Sequence, residues 1–382
     1  MQKFEKHSPV VVTEVTTKHE LRQFMQYPNR LYADNPNYIP SFYGDDLSDW
    51  TPGKNPAFDY CEARCWLARR DGEIVGRIGA ILSHKANDKF GTHRMRFSQV
   101  DFVDDSEVSA ALFGTVERWA REKGCDQVHG PLGFTDMDRE GMLVEGFDRR
   151  SLFFTNYNAP YYLEHLTRLG YRKDVDWIEY RITVPEPGGA EAERLHKLSE
   201  FILKRKHLHV ATVHHKSEYG PFVRQVFELV NAAYAPLYGV VELSDEQIER
   251  YANKFIPLVD PDFVCFVVDE QDQLVAFGVT ALDPSVALKH SDGRLFPFGW
   301  AGVLNDLHHS DTLIMLLTAV RPDLQAEGIN AVMMDHVCQS CNRHGVRFAE
   351  TGPMLELNDH ILAQWKRLEK EQHKRRRCFV KD

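Results

Sequence analysis

"AVRPDLQAEGINAVMMD", residues 319–335, follows the most apolar stretch of the chain, "TLIMLLTAV" (312–320). The apolar run reads as a strand and the residues around Gln325 and Gly328 as a short loop. After it, Ile329, Val332, Met333 and Val337 recur at helical spacing. The first N–H groups of a helix lack intrahelical partners and sit at the positive end of its dipole. Such a junction can hold a phosphate, or it can be an ordinary turn. Gly328 would let the backbone approach a ligand closely, because it has no Cβ.

Working outward, the same plan runs twice. "CWLARRDGEIVGRIGAIL" (65–82) and "CFVVDEQDQLVAFGVTAL" (265–282) are both hairpins, with turns at Asp71-Gly72 and Gln271-Asp272. Each is followed by a strand and a long helix, "MRFSQVDFVDD" with "SEVSAALFGTVERWAREKG", and "TLIMLLTAV" with "EGINAVMMDHVCQSCNRHG". Gly124 and Gly345 close the helices. A strand ending in Gly-Pro follows in both, at Gly130-Pro131 and Gly352-Pro353. The openings also match: "VVVTEVTTKHELRQF" resembles "VATVHHKSEYGPFVRQVF", a short β run and then a helix. Strands alternating with helices predict two α/β domains. The Pro-Gly stretch "VPEPGGAEAE" (184–193) places the boundary between 1–185 and 186–382.

The net charge of −10 argues against a general nucleic-acid or anionic-membrane surface. The N-terminus has no long apolar run before a cleavage site, and no stretch is long enough to span a bilayer. Seven cysteines without framework spacing fit a reducing cytoplasm. Cys338-x-x-Cys341 falls inside a helix with no further ligands at zinc spacing, and the histidines lack metal partners, so no metal site is expected.

The order of elements resembles the GNAT superfamily of acyl-CoA N-acyltransferases, in both halves and over almost the whole chain. The resemblance implies two tandem GNAT-like domains, each a mixed, mostly antiparallel sheet flanked by helices. Gln325-Ala326-Glu327-Gly328-Ile329-Asn330 is similar to the family's acyl-CoA loop, Q/R-x-x-G-x-G/A, with Asn330 where Gly or Ala is usual and Ala331 beside it. It implies acetyl-CoA, or another acyl-CoA, held by Gln325, Ala326, Gly328, Ile329, Asn330 and Ala331. Thr318 and Val320 would present strand backbone to the pantetheine arm. Asp323 and Glu327 place carboxylates near the presumed phosphates, with Arg321 to offset them. The counterpart in the first half, "VDFVDDSEVSAAL", has no glycine, and its Asp104, Asp105 and Glu107 suit helix capping, so that half is expected not to bind CoA there.

The family's late motif, N-x-x-A-x-x-[LF]-Y, falls on Asn358, Ile361 and Trp365, so tryptophan stands where the tyrosine acid is expected. Glu350 and Glu356 are the candidate bases. Tyr234 and Tyr238 are candidates to face an acceptor. In the first half, the long segment after Gly130-Pro131 (132–157) predicts a substrate pocket framed by Phe134 and Tyr157, or else a structural cover over the first sheet or an inter-domain contact. The basic run "HKRRRC" (373–378) reads as a solvated tail, with contact to an outer CoA phosphate as the alternative. The function implied is transfer of an acetyl or other acyl group to a small-molecule or peptide amine, without nucleic acid or membrane. A non-catalytic binding protein that kept the fold is one alternative. An aminoacyl-tRNA-dependent transferase, which needs a long basic groove, is another. Neither the acceptor nor the oligomeric state can be read from the sequence.

Overall fold

The structure, a computed structural model, describes residues 8–382. Part of the N-terminal stretch read above for a secretory signal, residues 1–7, lies outside the described residues. The chain forms two compact units. The first holds residues up to Asp176 together with 292–294 and 376–382. The second holds 177–291 and 295–375.

In chain order the elements begin with β1 (Val11–Glu14), α1 (Lys18–Leu31), α2 (Tyr43–Asp49), β2 (Cys61–Arg70), β3 (Glu73–Ser83) and α3 (His84–Phe90). They continue with β4 (Arg94–Phe102), α4 (Ser106–Glu122), β5 (Gln127–Gly130), β6 (Met142–Glu145), α5 (Tyr161–Arg168) and β7 (Arg172–Thr183). Next come α6 (Ala190–Lys206), β8 (His209–Val210), α7 (Gly220–Tyr234), α8 (Asp245–Phe255), β9 (Val264–Val268), β10 (Leu274–Leu282), α9 (Ser285–His290) and α10 (Gly299–His309). The last are β11 (Thr312–Val320), α11 (Asn330–His344), β12 (Phe348–Glu350), β13 (Met354–Leu355), α12 (Asp359–Gln364) and β14 (Lys370–Lys381).

Within the first unit the strands run β1-β2-β3-β4-β5 and then the end of β14, where Phe379 pairs with Gly130. Within the second, the later part of β7 pairs with β12, followed by β11, β10, β9 and β8. Both sheets are antiparallel except at one place each, β4 with β5 and β11 with β12. The duplicated plan is therefore real, but the closing strands are exchanged. The first unit's sheet is completed by residues 376–381, and the second begins inside β7, upstream of the Pro-Gly stretch.

Local chemistry explains the elements. Asp71 and Gly72 both have positive φ, the conformation a two-residue hairpin turn needs. Thr17 and Glu20 form a capping box on α1, and Ser244 and Gln247 form one on α8. Gly345 closes α11 in the left-handed region. Helix α4 packs Val108, Leu112 and Val116 onto the first sheet, and α11 packs Val332 and Met333 onto the second.

One sequence expectation is overturned here. The basic run 373–378 is the interior of β14 and not a solvated tail: Lys374 is 1% exposed and Arg376 fully buried. Carboxylates spread through the sequence make this affordable. Lys374 meets Glu179 and Glu350, Arg375 meets Glu356, and Arg377 meets Asp176. Buried charges persist only when so paired.

Candidate functional site

Strands β11 and β12 pair in parallel over three positions only, ending at Ile314 with Glu350. Beyond them β11 continues to Val320, with no strand partner on that side among the described residues. Its register against β10 also slips, so that Leu316 is skipped between Met315 and Leu317. This opening is the centre of the site.

The loop after β11 is a short 3-10 turn, Pro322–Leu324, and then a strained corner. Ala326 and Gly328 both have positive φ, +64° and +85°. A Cβ on Gly328 would come 3.0 Å from Ile202 Cδ1, so glycine is required by backbone and by packing together. Helix α11 begins without a side-chain cap. The Ala331 and Val332 N–H groups donate to the Gly328 and Ile329 carbonyls. Those of Ala326, Gly328, Ile329 and Asn330 donate to no other described residue. The side chains of Ile329 and Ala331 are buried in the core beside Ile202. Gln325 donates its amide to the Val320 carbonyl at 3.3 Å. The two acids are accounted for: Arg321 holds Asp323 at 2.7 Å, and Lys206 holds Glu327 at 2.6 Å. These cations keep both carboxyls below their usual range.

The first unit shows the opposite arrangement. Asp105 caps α4, accepting from the Glu107 and Val108 N–H groups, and Arg70 clamps Asp105 and Glu107. The helix start is occupied by the protein's own carboxylate.

Beside the second unit's loop lies a pocket that opens to solvent. Its wall is almost entirely apolar, with Met315 and Leu317 from β11, Met333, Met334 and Val337 from α11, and Trp365 after α12. Thr318 and Asn330, both expected at the cofactor site, line it too. The sequence reading missed the methionines and Val337 as lining. Their signal was present, since Met334, Val337 and Cys341 recur at helical spacing. Cys338 and Cys341, neither in a disulfide, also line the wall, where burial pushes the thiols up to about 11 and about 12.

The remaining expected residues divide. Tyr234 donates its hydroxyl to the Thr318 carbonyl at 2.8 Å, at the open edge of β11. Tyr238 packs edge-on against Trp177. Trp365 is buried and gives its indole N–H to the Met354 sulphur at 3.1 Å. Asn358 caps α12 by accepting from the Ile361 N–H. Glu356 is held by Arg375 at 2.9 Å. Glu350 sits where β11 and β12 part, 3.2 Å from Lys374, with His373 at 3.8 Å. Phe134 and Tyr157 belong to the first unit. Phe134 packs against Trp50 and Phe58. Tyr157 packs against Tyr32 and Tyr38, and its hydroxyl accepts from Asn35 at 2.7 Å. Both are core residues of the first unit.

Solved structures carry the same arrangement. A tandem GNAT protein from the clavulanic acid biosynthesis pathway superposes with a TM-score of 0.54 at 13% identity, over 97% of this chain and 98% of that one. The chain has a tandem GNAT fold. A GCN5-related N-acetyltransferase from Sphaerobacter thermophilus gives a TM-score of 0.52 at 13% identity, over 97% and 95%. No protein-family model matches the sequence. Among curated proteins, Protein YghO of Escherichia coli K12 is 27% identical over 377 residues, covering 97% of this chain and 95% of its own. The Bacterial ceramide synthase of Caulobacter vibrioides is 28% identical over 300 residues, 77% of this chain and 75% of its own.

Proposed function

We propose that this protein is an N-acyltransferase that moves a long-chain acyl group from an acyl-CoA to an amine, using its second unit. One observation carries the reading: the uncapped start of α11 meets the apolar pocket at Asn330, with Thr318 of β11 lining the same pocket, so a turn able to hold a phosphate adjoins a wall able to hold hydrocarbon. The residues present suit the donor. The N–H groups of Ala326, Gly328, Ile329 and Asn330 would meet the pyrophosphate, and the neutralised Asp323 and Glu327 no longer oppose it. Met315, Leu317, Met333, Met334 and Val337 would enclose far more hydrocarbon than an acetyl group supplies. The 28% identical ceramide synthase, named for an amide of a long-chain amino alcohol, supports the same acyl class and suggests such an acceptor. The cytoplasm remains the proposed compartment. Among the described residues no helix is long and apolar enough to cross a membrane.

When bound, acyl-CoA supplies a thioester open to attack by an amine. The chain's own contribution is mostly positioning, which can lower a barrier by several kcal/mol. Glu350, at the fork of β11 and β12, is placed to take the amine proton, oriented by Lys374. Backbone N–H groups of β11 between Leu316 and Val320 would hold the carbonyl oxygen. Trp365 cannot donate a proton in the ordinary range. Tyr234, whose hydroxyl already lies on β11, is the phenol placed to protonate the departing thiolate.

The test is thiol release from palmitoyl-CoA and from acetyl-CoA, each with a long-chain amino alcohol. Faster release from palmitoyl-CoA, with the amide found by mass spectrometry, supports the reading. Equal rates, or no binding of either donor, overturn it.

A further inference from the structure

The segment from α9 through α10 was not absorbed by the chemistry above. It carries the two most exposed aromatic residues among the described large hydrophobics, Phe296 and Phe298, each 80% exposed, with Trp300 at 47%. Leu304 and Val286 stand out beside them. Burying a side chain of this kind is worth about 1.5–3 kcal/mol, so leaving several in water on one loop calls for a partner.

The loop is built to hold them outward. The Trp300 N–H donates to the Leu295 carbonyl at 2.9 Å and the Ala301 N–H to the Phe298 carbonyl at 3.2 Å. The Trp300 indole N–H is satisfied within the loop, by the Pro297 carbonyl at 3.1 Å. No polar atom of the ring therefore opposes transfer to an apolar phase. The base is firm as well. A Cβ on Gly302 would lie 3.1 Å from that of Ala287, so α9 and α10 touch closely, and Asp306 accepts the Ala287 N–H at 2.7 Å. On α10, Val303 faces inward while Trp300 and Leu304, four residues apart, share the outer face.

The geometry points to a membrane-docking wedge: Phe296, Phe298 and Trp300, backed by Leu304 and Val286, enter the interfacial region of a lipid bilayer. Aromatic rings on a projecting loop suit that region. The exposed apolar area, roughly 500 Å² from ring and aliphatic sizes, falls short of the ~800 Å² per partner of a stable protein interface. Charge is balanced here: residues 284–310 carry Lys289 and Arg294 against Asp292 and Asp306, so the apolar rings and not charge carry the contact. This departs from the expectation of no membrane contact drawn from net charge alone.

The test uses the full chain and sedimentation with vesicles of equal parts phosphatidylcholine and phosphatidylglycerol, with no CoA present, so it is independent of acyl transfer. The native chain should sediment with these vesicles and with phosphatidylcholine alone. Phe296→Ser, Phe298→Ser and Trp300→Ser combined should lower the bound fraction tenfold or more, with thermal melting unchanged. As a milder variant, Trp300→Phe should lose a fluorescence quench that the native chain shows on brominated phosphatidylcholine vesicles. The proposal is overturned by any of three results: a native chain that stays in the supernatant, a triple variant that sediments equally, or a native dimer that the triple variant dissolves.

Discussion

The Lys206 ammonium lies 2.6 Å from the Glu327 carboxylate, joining the last turn of α6 to the loop that opens α11. A carboxylate beside the helix start would repel a pyrophosphate, and Lys206 answers it from a distant part of the sequence. Lys206→Ala should weaken acyl-CoA binding severalfold, more at low salt than at high salt. Adding Glu327→Gln should restore it. Calorimetry at two ionic strengths reads both.

Gly328→Ala should be destabilising for two separable reasons. A residue with a Cβ pays about 1–2 kcal/mol in the left-handed region, and the new methyl meets Ile202. In an Ile202→Ala background the contact is relieved while the backbone cost stays, so only part of the loss in thermal midpoint should return. Acyl-CoA affinity should fall more than tenfold in either background.

Val337→Trp or Met334→Trp should fill the apolar pocket. Palmitoyl-CoA should then lose at least tenfold in kcat/KM. Binding of CoA itself should hardly change, because the loop is untouched. Equal loss of both would place the hydrocarbon elsewhere.

Glu350→Gln should lower kcat by on the order of 10²-fold or more and leave the donor's Kd in place. Lys374→Met is a different kind of lesion. It strips the shared cation from Glu179 and Glu350, and breaking such a buried cluster costs about 3–5 kcal/mol, read as a lower urea midpoint.

Much of this was legible in the sequence because it rests on local patterns. The hairpin turns, the helix stop at Gly345, the glycine of the acyl-CoA-like loop and the self-capped start of α4 each depend on a few adjacent residues. What was not legible depends on strand pairing at long range. The run from His373 to Cys378 looks solvated until Glu179, Glu350, Glu356 and Asp176 are brought to it. Phe134 and Tyr157 looked like pocket residues because aromatics crowd a long loop, and that loop turned out to furnish core. The hydrocarbon wall was hidden because strand β11 and helix α11 are apolar on more than one face, and only the parting of β11 from β12 shows which face is left open.

Asp136 gives a test of the first unit by pH. Burial, reinforced by the neighbouring Asp138 charge, raises its carboxyl to about 6. The folded state therefore holds the proton more tightly than the unfolded chain does. That contribution is full below the unfolded pKa near 4 and is lost as pH rises through about 6. Asp136→Asn should accordingly be more stable than the native chain at neutral pH, by on the order of 2 kcal/mol, with the gap closing toward pH 4. Urea melts across that range measure it.

The exchange of closing strands also sets an order of events during synthesis. The first unit is translated first, yet its sheet lacks its last member until residues 376–381 have left the ribosome. Until then the free edge of β5 stays open, and with it a place where another nascent chain's β14 could lodge. A truncation that removed only residues 376–382 would leave Lys374 and the Gln325–Asn330 loop in place and take the closing strand from the first unit.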